Sequence, residues 1–146
     1  MRYAPVIFQE FVPAEADLRV TVMGSHCVAA AIRTAPSSYR YDYRMDLERS
    51  TVELFALPGK IEARLLALMR RLGLVYGAID LRLTLDGRFV FLEINPSGQW
   101  LFIEERIGRS MTETFARLLV DGDRGRRVTG ALRGRAVPRA GSTPRA

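Results

Sequence analysis

Three apolar segments in the first third of the chain predict strands. They are residues 6–12 (VIFQEFV), which end at Pro13, and residues 18–23 (LRVTVM) and 28–32 (VAAAI), which are predicted to form a hairpin that turns at Gly24-Ser25. Polar and apolar side chains alternate along residues 17–22, so Asp17, Arg19 and Thr21 are expected to share one face. Residues 34–51 are rich in Ser, Tyr, Arg and Asp and show no periodicity. They are predicted to form a long loop, and such loops in compact domains are often functional.

A second hairpin is predicted around Asp86-Gly87, the dipeptide that best suits a two-residue type I′ turn. A loop of these two residues places Asp80 directly opposite Glu93 on the neighbouring strand. Because side chains alternate along a strand, Asn95 then lies on the same face as Glu93.

This register predicts one aliphatic face and one mixed face for the hairpin. The aliphatic face is predicted to contact the core and carries Ile79, Leu81, Leu83, Val90, Leu92 and Ile94. The other face carries Asp80, Arg82, Thr84, Phe89, Phe91, Glu93 and Asn95.

Two carboxylates that face each other across a strand pair repel unless a positive charge lies between them. Asp80, Glu93 and Asn95 bring oxygen atoms to one place, and oxygen ligands suit Mg²⁺, which often also contacts substrate phosphates. The alternative is an ordinary solvated sheet face on which Arg82 neutralises the acids.

Three helices are predicted, the first of them from apolar residues spaced at 3.6-residue intervals. The first covers residues 58–72 and ends at Gly73, a favourable C-terminal stop. A short helix is predicted over residues 102–106, and another over residues 112–119, with Thr112 as its N-terminal cap.

Composition is that of an ordinary globular protein: 146 residues, 48% hydrophobic and 26% charged. No apolar run is long enough to span a membrane, so no membrane partner is expected. The single cysteine, Cys27, cannot form an internal disulfide, which favours a cytoplasmic location. Its neighbour His26 is poorly placed to activate it, because consecutive side chains on a strand point apart, and Cys27 is therefore interpreted as a small buried residue rather than a nucleophile.

The net charge of +6 is concentrated at the C-terminal end. Residues 121–146 contain seven arginines and two aspartates, whereas residues 1–120 contain 15 basic and 14 acidic side chains. The basic segment lacks a hydrophobic pattern and is predicted to be a disordered tail. The sequence thus predicts one domain over residues 1–120 and a tail over residues 121–146, and it does not favour nucleic acid as a partner.

Several segments, in order, resemble the ATP-grasp ligases. They are FQEFV at residues 8–12, DLRV at 17–20, AIR at 31–33, GAID at 77–80 and FLEINP at 91–96. Three further segments resemble more closely the ATP-grasp maturases of ribosomally synthesised peptides, the microviridin or graspetide type, which are akin to ribosomal-protein glutamate ligases: DYR at 42–44, LP at 57–58 and NPSGQW at 95–100. The resemblance extends from about residue 7 to residue 119.

The resemblance implies an α+β fold, the C-terminal half of an ATP-grasp domain, with an antiparallel sheet of about five strands packed by helices. It also implies the chemistry of that family, in which ATP phosphorylates a carboxylate and an amine or hydroxyl attacks the acyl phosphate. Asp80, Glu93 and Asn95 would bind two Mg²⁺ ions, with Glu93 bridging them.

The resemblance also implies the nucleotide contacts. Gln9, Glu10, Phe11 and Val12 match the adenine-binding hinge, the last two through backbone groups, and Asp17 matches the acid that meets the ribose hydroxyls. Two further residues, Arg19 and Arg33, would face the phosphates or the activated carboxylate as catalytic groups.

One departure from the family concerns positive charge. ATP-grasp ligases hold the phosphates with lysines and a Gly-rich loop that precede the hinge, whereas the only lysine here is Lys60 at the start of a core helix. The expectation is an incomplete ATP-grasp ligase acting on a ribosomal precursor peptide, completed by a separate polypeptide or by a homo-oligomer. The alternative is a non-catalytic module that binds a peptide or another partner.

Overall fold

The computed structural model describes residues 6, 8–34, 45 and 47–133, with side chains as far as residue 122. Within these residues the fold is α+β, a five-stranded antiparallel sheet with three helices, as predicted. The elements in chain order are β1 (Ala16–Met23), β2 (His26–Arg33), β3 (Thr51–Phe55), α1 (Gly59–Leu72), β4 (Tyr76–Leu83), β5 (Phe89–Asn95), α2 (Leu101–Ile107) and α3 (Thr112–Arg133). No helix in the described part of the chain is both long and apolar enough to cross a membrane.

The sheet has the strand order β3-β2-β1-β4-β5, so β1 lies at its centre. The predicted β1–β2 hairpin is confirmed, and both β2 and β4 pair with β1 in antiparallel orientation. Nearly every residue of β1 is buried because the strand has a neighbour on each side and packing on both faces. A side chain on β1 is therefore held in a well-defined position.

Helix α1 covers one face of the sheet. Its buried side chains, Leu65 and Met69, pack with Leu18, Val20 and Ile79 in the larger hydrophobic core. The predicted helix over residues 58–72 is confirmed, and it ends at Gly73 in the left-handed conformation.

Helices α2 and α3 pack on the opposite face, where Ile103 and Met111 join Met23, Ala30 and Ile32 in a second core. The short predicted helix corresponds to α2. Helix α3 continues well beyond residue 119, so the prediction for its end was wrong, and the division of the chain at residue 121 stays a prediction. Residues 134–146 lie outside the described residues.

The predicted strand over residues 6–12 is wrong. Neither residue 6 nor residues 8–12 form a strand, and residue 7 is outside the described residues. The sheet reaches five strands because residues of β3, which were not predicted to form a strand, pair with β2. The TVELF segment of β3 is short and largely exposed, as edge strands often are. Of the predicted loop over residues 34–51, residues 35–44 and 46 lie outside the described residues, including the DYR segment.

The predicted pairing of Asp80 with Glu93 in the β4–β5 hairpin is confirmed, but the loop and the register near the turn differ from the prediction. Thr84 N donates to Arg88 O (2.9 Å), so the loop has three residues, and Gly87 takes the positive φ of 78° that such loops require at this position. The longer loop shifts the register by one residue near the turn, and a β-bulge at Leu92 restores it before Asp80.

The predicted face assignment fails between the turn and the bulge. Phe89 pairs with Leu83 and packs against the larger core, and its ring centroid lies 6.2 Å from that of Phe55. Val90 instead pairs with Arg82 on the opposite face. Leu92, which was assigned to the core face, is the extra residue at the bulge and is exposed.

Candidate functional site

Two buried arginines dominate the sheet face opposite α1. They belong to two identical Asp-Leu-Arg tripeptides, residues 17–19 on β1 and residues 80–82 on β4. Because the strands are antiparallel, Asp17 pairs with Arg82 and Arg19 pairs with Asp80. Each arginine is therefore directly opposite the aspartate of the other strand.

Arg19 is only 8% exposed and binds Asp80 through one nitrogen. Its Nη1 lies 2.8 Å from Oδ1 and 2.9 Å from Oδ2 of Asp80, and its Nη2 donates to the backbone oxygen of Gln99 at 3.0 Å. Glu93 follows on β5, opposite Asp80 and exposed to solvent. Arg19 thus supplies the positive charge that the facing carboxylates require, whereas the alternative considered from the sequence gave that role to Arg82.

The Asp80 carboxyl ionises less readily here than in water, chiefly because it is buried. Burial raises the pKa of the Asp80 carboxyl above its ordinary value of 3.8, hydrogen bonding to Arg19 lowers it, and the Glu93 carboxylate raises it again. The net shift is upward, which means that the ionised form of Asp80 is less favourable here than in water. A further cation beside Asp80 and Glu93 would therefore be stabilised.

The donor set fits Mg²⁺ in kind. No group of three or more His, Cys, Asp or Glu side chains among the described residues would hold a metal ion. Mg²⁺, however, is usually bound by one or two carboxylates together with phosphate oxygens and water. Asp80 and Glu93 provide the carboxylates, and the Asn95 side-chain oxygen, which accepts from Ser97 N at 2.8 Å, retains a second lone pair.

The segment after Asn95 folds over the sheet and packs tightly against it. Gly98 N donates to Asn95 O at 3.3 Å, which closes a turn with Pro96 at its second position. A Cβ on Gly98 would lie 2.4 Å from the Cβ of Ala78, so no side chain fits. The Tyr76 hydroxyl donates to Gly98 O, and together with Arg19 it holds this turn beside the carboxylates.

The second arginine, Arg82, contacts the segment that precedes β1. It is 7% exposed, and its Nε lies 2.8 Å from Asp17 Oδ1. Its Nη1 donates to the backbone oxygen of Val12 at 2.7 Å, and its guanidinium carbon lies 4.8 Å from the ring centroid of Phe11. Arg82, Asp17 and Phe11 line a cavity of about 270 Å³ together with Pro13. Backbone groups, an aromatic ring and a carboxylate are thus brought together where β1 begins and β4 ends.

The structure brings most of the predicted site residues to one face, with three exceptions. Gln9 and Glu10 are exposed and precede the part of the segment that Arg82 holds. Arg33 lies on the α1 face. Ala30 pairs with Arg19 and shares its face, and Arg33, three residues further along β2, points to the other side of the sheet, where it binds Glu53 and Glu15. In this structure Arg33 therefore does not share a face with Arg19.

Cys27 is part of the fold rather than of this site. It packs against the larger core, and burial, with a smaller contribution from Glu62, raises its pKa to about 11. A thiol that stays protonated is a poor nucleophile, in agreement with its interpretation from the sequence.

Three residues that organise the site were not predicted from the sequence: Tyr76, Gly98 and Arg82, which holds residues 11–17. A signal for the last was present. The repeated Asp-Leu-Arg tripeptide on two antiparallel strands predicts reciprocal ion pairs if the strands are adjacent. That β1 and β4 are adjacent, however, is decided by the tertiary structure and could not be predicted from the sequence.

No protein-family model and no curated protein matches this sequence. Solved structures do match it. The macrocyclase MdnC from Microcystis aeruginosa MRC, bound with the precursor peptide MdnA, is 35% identical with a TM-score of 0.64, over 76% of this chain and 34% of that one. A RiPP-associated ATP-grasp ligase from Chryseobacterium gregarium, in complex with ADP and a leader and core peptide, is 26% identical with a TM-score of 0.68, over 76% of this chain and 34% of that one.

The ATP-grasp ligase PsnB, complexed with a phosphomimetic variant of minimal precursor, Mg and ADP, shares the fold at 19% identity and a TM-score of 0.63, over 77% of this chain and 34% of that one. The chain spans about a third of the length of each of these ligases. The resemblance found in the sequence is confirmed, and the chain has the fold of part of an ATP-grasp ligase of the peptide-modifying type.

Proposed function

We propose that this chain carries part of the active site of a ligase that uses ATP and Mg²⁺ to join a carboxylate of a ribosomally made peptide to an amine or hydroxyl. The observation that carries the proposal is the placement, on one sheet face, of the Asp80–Glu93 pair beside Asn95 and of Asp17 beside the backbone of Val12. The similarity to MdnC and to the Chryseobacterium ligase supports it.

In this proposal the two groups of residues on the face have separate tasks. Asp80, Glu93 and Asn95 would hold Mg²⁺, which neutralises phosphate charge during transfer of the γ-phosphoryl group. Phe11 and Val12 would contact the adenine, and Asp17 would accept hydrogen bonds from the ribose. Arg19, already bonded to Asp80 and Gln99, would fix the metal-binding carboxylate rather than move with the substrate.

The overall reaction consists of two displacements. An oxygen of the peptide carboxylate attacks the γ-phosphorus of ATP, the bond to the β-phosphate oxygen breaks, and ADP leaves. The amine or hydroxyl then attacks the acyl carbon, loses its proton and displaces inorganic phosphate. Electrostatic stabilisation of the phosphoryl group is the main requirement of the first step.

Further positive charge for the phosphates would come from the part of the ligase that this chain does not span. The described residues facing Asp80 include Arg19, but its guanidinium is committed to Asp80 and Gln99. We propose that the phosphate-binding lysines of the family belong to a complementary part, in a longer polypeptide, a separate chain or a second copy. The precursor peptide would then bind where the two parts meet.

Isothermal titration calorimetry with ATP tests the proposed metal site. The unmodified chain and the Glu93→Gln variant are each titrated once with Mg²⁺ present and once with EDTA in its place. The unmodified chain is expected to bind ATP weakly and to bind it more tightly with Mg²⁺. Glu93→Gln is expected to abolish the Mg²⁺ effect, with a loss of about tenfold or more in affinity, roughly 1.4 kcal/mol, because one carboxylate ligand is gone. Affinity in EDTA should be unchanged or slightly higher, since a negative charge near the triphosphate is removed.

Glu105→Gln, an exposed position on α2, is the matched control and should retain the Mg²⁺ effect. An equal Mg²⁺ effect in both variants would contradict the metal assignment. Absence of any ATP binding, together with peptide binding that Glu93→Gln leaves intact, would support the non-catalytic module instead.

A further inference from the structure

Arg82 joins three separate groups that belong to residues 11–17. Its Nε donates to Asp17 Oδ1 at 2.8 Å, its Nη1 donates to Val12 O at 2.7 Å, and its guanidinium carbon lies over the ring of Phe11. Such a set suits a guanidinium, which is planar, donates in several directions and stacks on aromatic rings, whereas an ammonium group does not. We propose that Arg82 is a positioning residue that sets the nucleoside-binding segment, and this rests on the function proposed above.

Residues 11–15 depend on this contact because they belong to no strand of the sheet. Their other described backbone link to the sheet is Glu15 N to Leu83 O at 2.8 Å, and Leu83 follows Arg82 on β4. The end of β4 thus holds the segment at both points. Loss of the Arg82 contacts would free residues 11–14 while the pairing of β1 with β2 and β4 persists.

Loss of the Arg82 contacts would affect the contacts to the nucleoside and those to the polyphosphate of a bound nucleotide differently. Arg82 orients Asp17 and the backbone of Val12, the groups proposed for ribose and adenine. The carboxylates proposed for Mg²⁺ belong to Asp80 and Glu93, and Asp80 is bound by Arg19. Arg82 is therefore expected to influence binding of the nucleoside and not binding of the polyphosphate.

The test compares ATP with inorganic tripolyphosphate, each with Mg²⁺, by titration of the Arg82→Met variant. Methionine retains much of the apolar stem and removes the three donors. ATP affinity is expected to fall about tenfold or more, while tripolyphosphate affinity stays within about twofold. Arg117→Met, at an exposed position on α3 paired with Glu113, is the control and should change neither.

Hydrogen–deuterium exchange provides a second readout that does not depend on nucleotide binding. Peptides covering residues 11–17 are expected to exchange faster in Arg82→Met, while peptides covering residues 18–23 remain protected. Phe11→Leu, at a partly exposed position where folding is not at risk, should show the same pattern to a smaller degree.

The outcomes separate this inference from the proposed function. If the unmodified chain binds neither ligand, the proposed function fails, and exchange in residues 11–17 alone decides the role of Arg82. Faster exchange in that segment alone supports a positioning role. Unchanged exchange, or equal losses of ATP and tripolyphosphate affinity, would overturn it. If Arg82→Met does not fold, the exchange pattern of Phe11→Leu decides in the same way.

Discussion

Arg19 and Arg82 are charged side chains in a place where most proteins put apolar ones. Each is more than nine-tenths buried, and each has an aspartate directly opposite on the adjacent strand. Buried ion pairs are a weak source of net stability, but removal of one partner leaves an uncompensated charge and costs about 3–5 kcal/mol. Here the arginines position neighbouring segments of the chain, because Arg19 also donates to the Gln99 carbonyl and Arg82 to the Val12 carbonyl.

At the same scale, Gly98 is defined by the space around it. Gly98→Ala is expected to lower the free energy of unfolding by about 1–3 kcal/mol, since the new methyl group overpacks the contact with Ala78. Urea unfolding monitored by circular dichroism measures this. The same substitution at Gly122, a helical position with nothing within 4 Å, should stabilise by about 1 kcal/mol. A neutral Gly98→Ala would mean that the turn can move away from Arg19.

Among the secondary-structure elements, the junction of α2 and α3 shows how one side chain fixes an orientation. The Glu104 carboxylate on α2 accepts from Met111 N at 2.6 Å and from Thr112 N at 2.7 Å, at the start of α3. The Thr112 hydroxyl also donates to Glu104 at 2.8 Å, so Thr112 does not act as the predicted cap. A carboxylate satisfies the free N–H groups of a helix start and interacts well with its dipole.

The hydrogen bonds from Met111 and Thr112 lower the pKa of Glu104 below its ordinary value of 4.5. A lowered pKa contributes stability that is present above 4.5 and is lost as pH falls through the folded-state pKa. Glu104→Gln should therefore lower the melting temperature at neutral pH. The difference from the unmodified chain should shrink as pH falls below 4.5. Thermal melts across this range measure it, with Glu105→Gln as the control, and a difference independent of pH would contradict the capping role.

For the whole molecule, the sheet separates stability from chemistry. The face under α1 is the larger core, and the opposite face combines a second core with the Asp80–Glu93 and Asp17–Arg82 groups. The chain spans about a third of the ligases that it resembles. Under the proposed function, this face would form one wall of a nucleotide-binding cleft.

Mass spectrometry of a precursor peptide tests this at the same scale. With ATP and Mg²⁺, the chain alone is expected to form no ester or amide, because the phosphates lack their remaining cations. Addition of a polypeptide that carries the complementary lysine-bearing part should produce the loss of one water per bond formed. That loss should disappear with Glu93→Gln and persist with Glu105→Gln. Dehydration of the peptide by this chain alone would refute the proposal that the chain carries only part of the active site.

The sequence by itself determined the local features and the set of chemical groups. Apolar spacing and a terminal glycine were sufficient to predict α1. Alternation along β1, the turn at Gly24-Ser25 and the apolar segment after it were sufficient to predict the β1–β2 hairpin, because these signals act between residues close in the chain. The opposition of Asp80 to Glu93 was also predicted, although the three-residue loop and the bulge at Leu92 that together produce it were not. A bulge depends on packing against the sheet, which a local pattern does not encode.

Tertiary structure alone decided the partners. Residues 6–12 are mostly apolar and end at Pro13, yet the described residues among them form no strand, and β3 is the edge strand beside β2. A strand needs a neighbour to pair with as well as a suitable sequence. Arg19 and Arg82 each had two acids available, and the adjacency of β1 and β4 gave Asp80 to the first and Asp17 to the second. Ion pairs between residues more than 60 positions apart in the chain follow from strand order, and strand order is set by burial of the whole sheet.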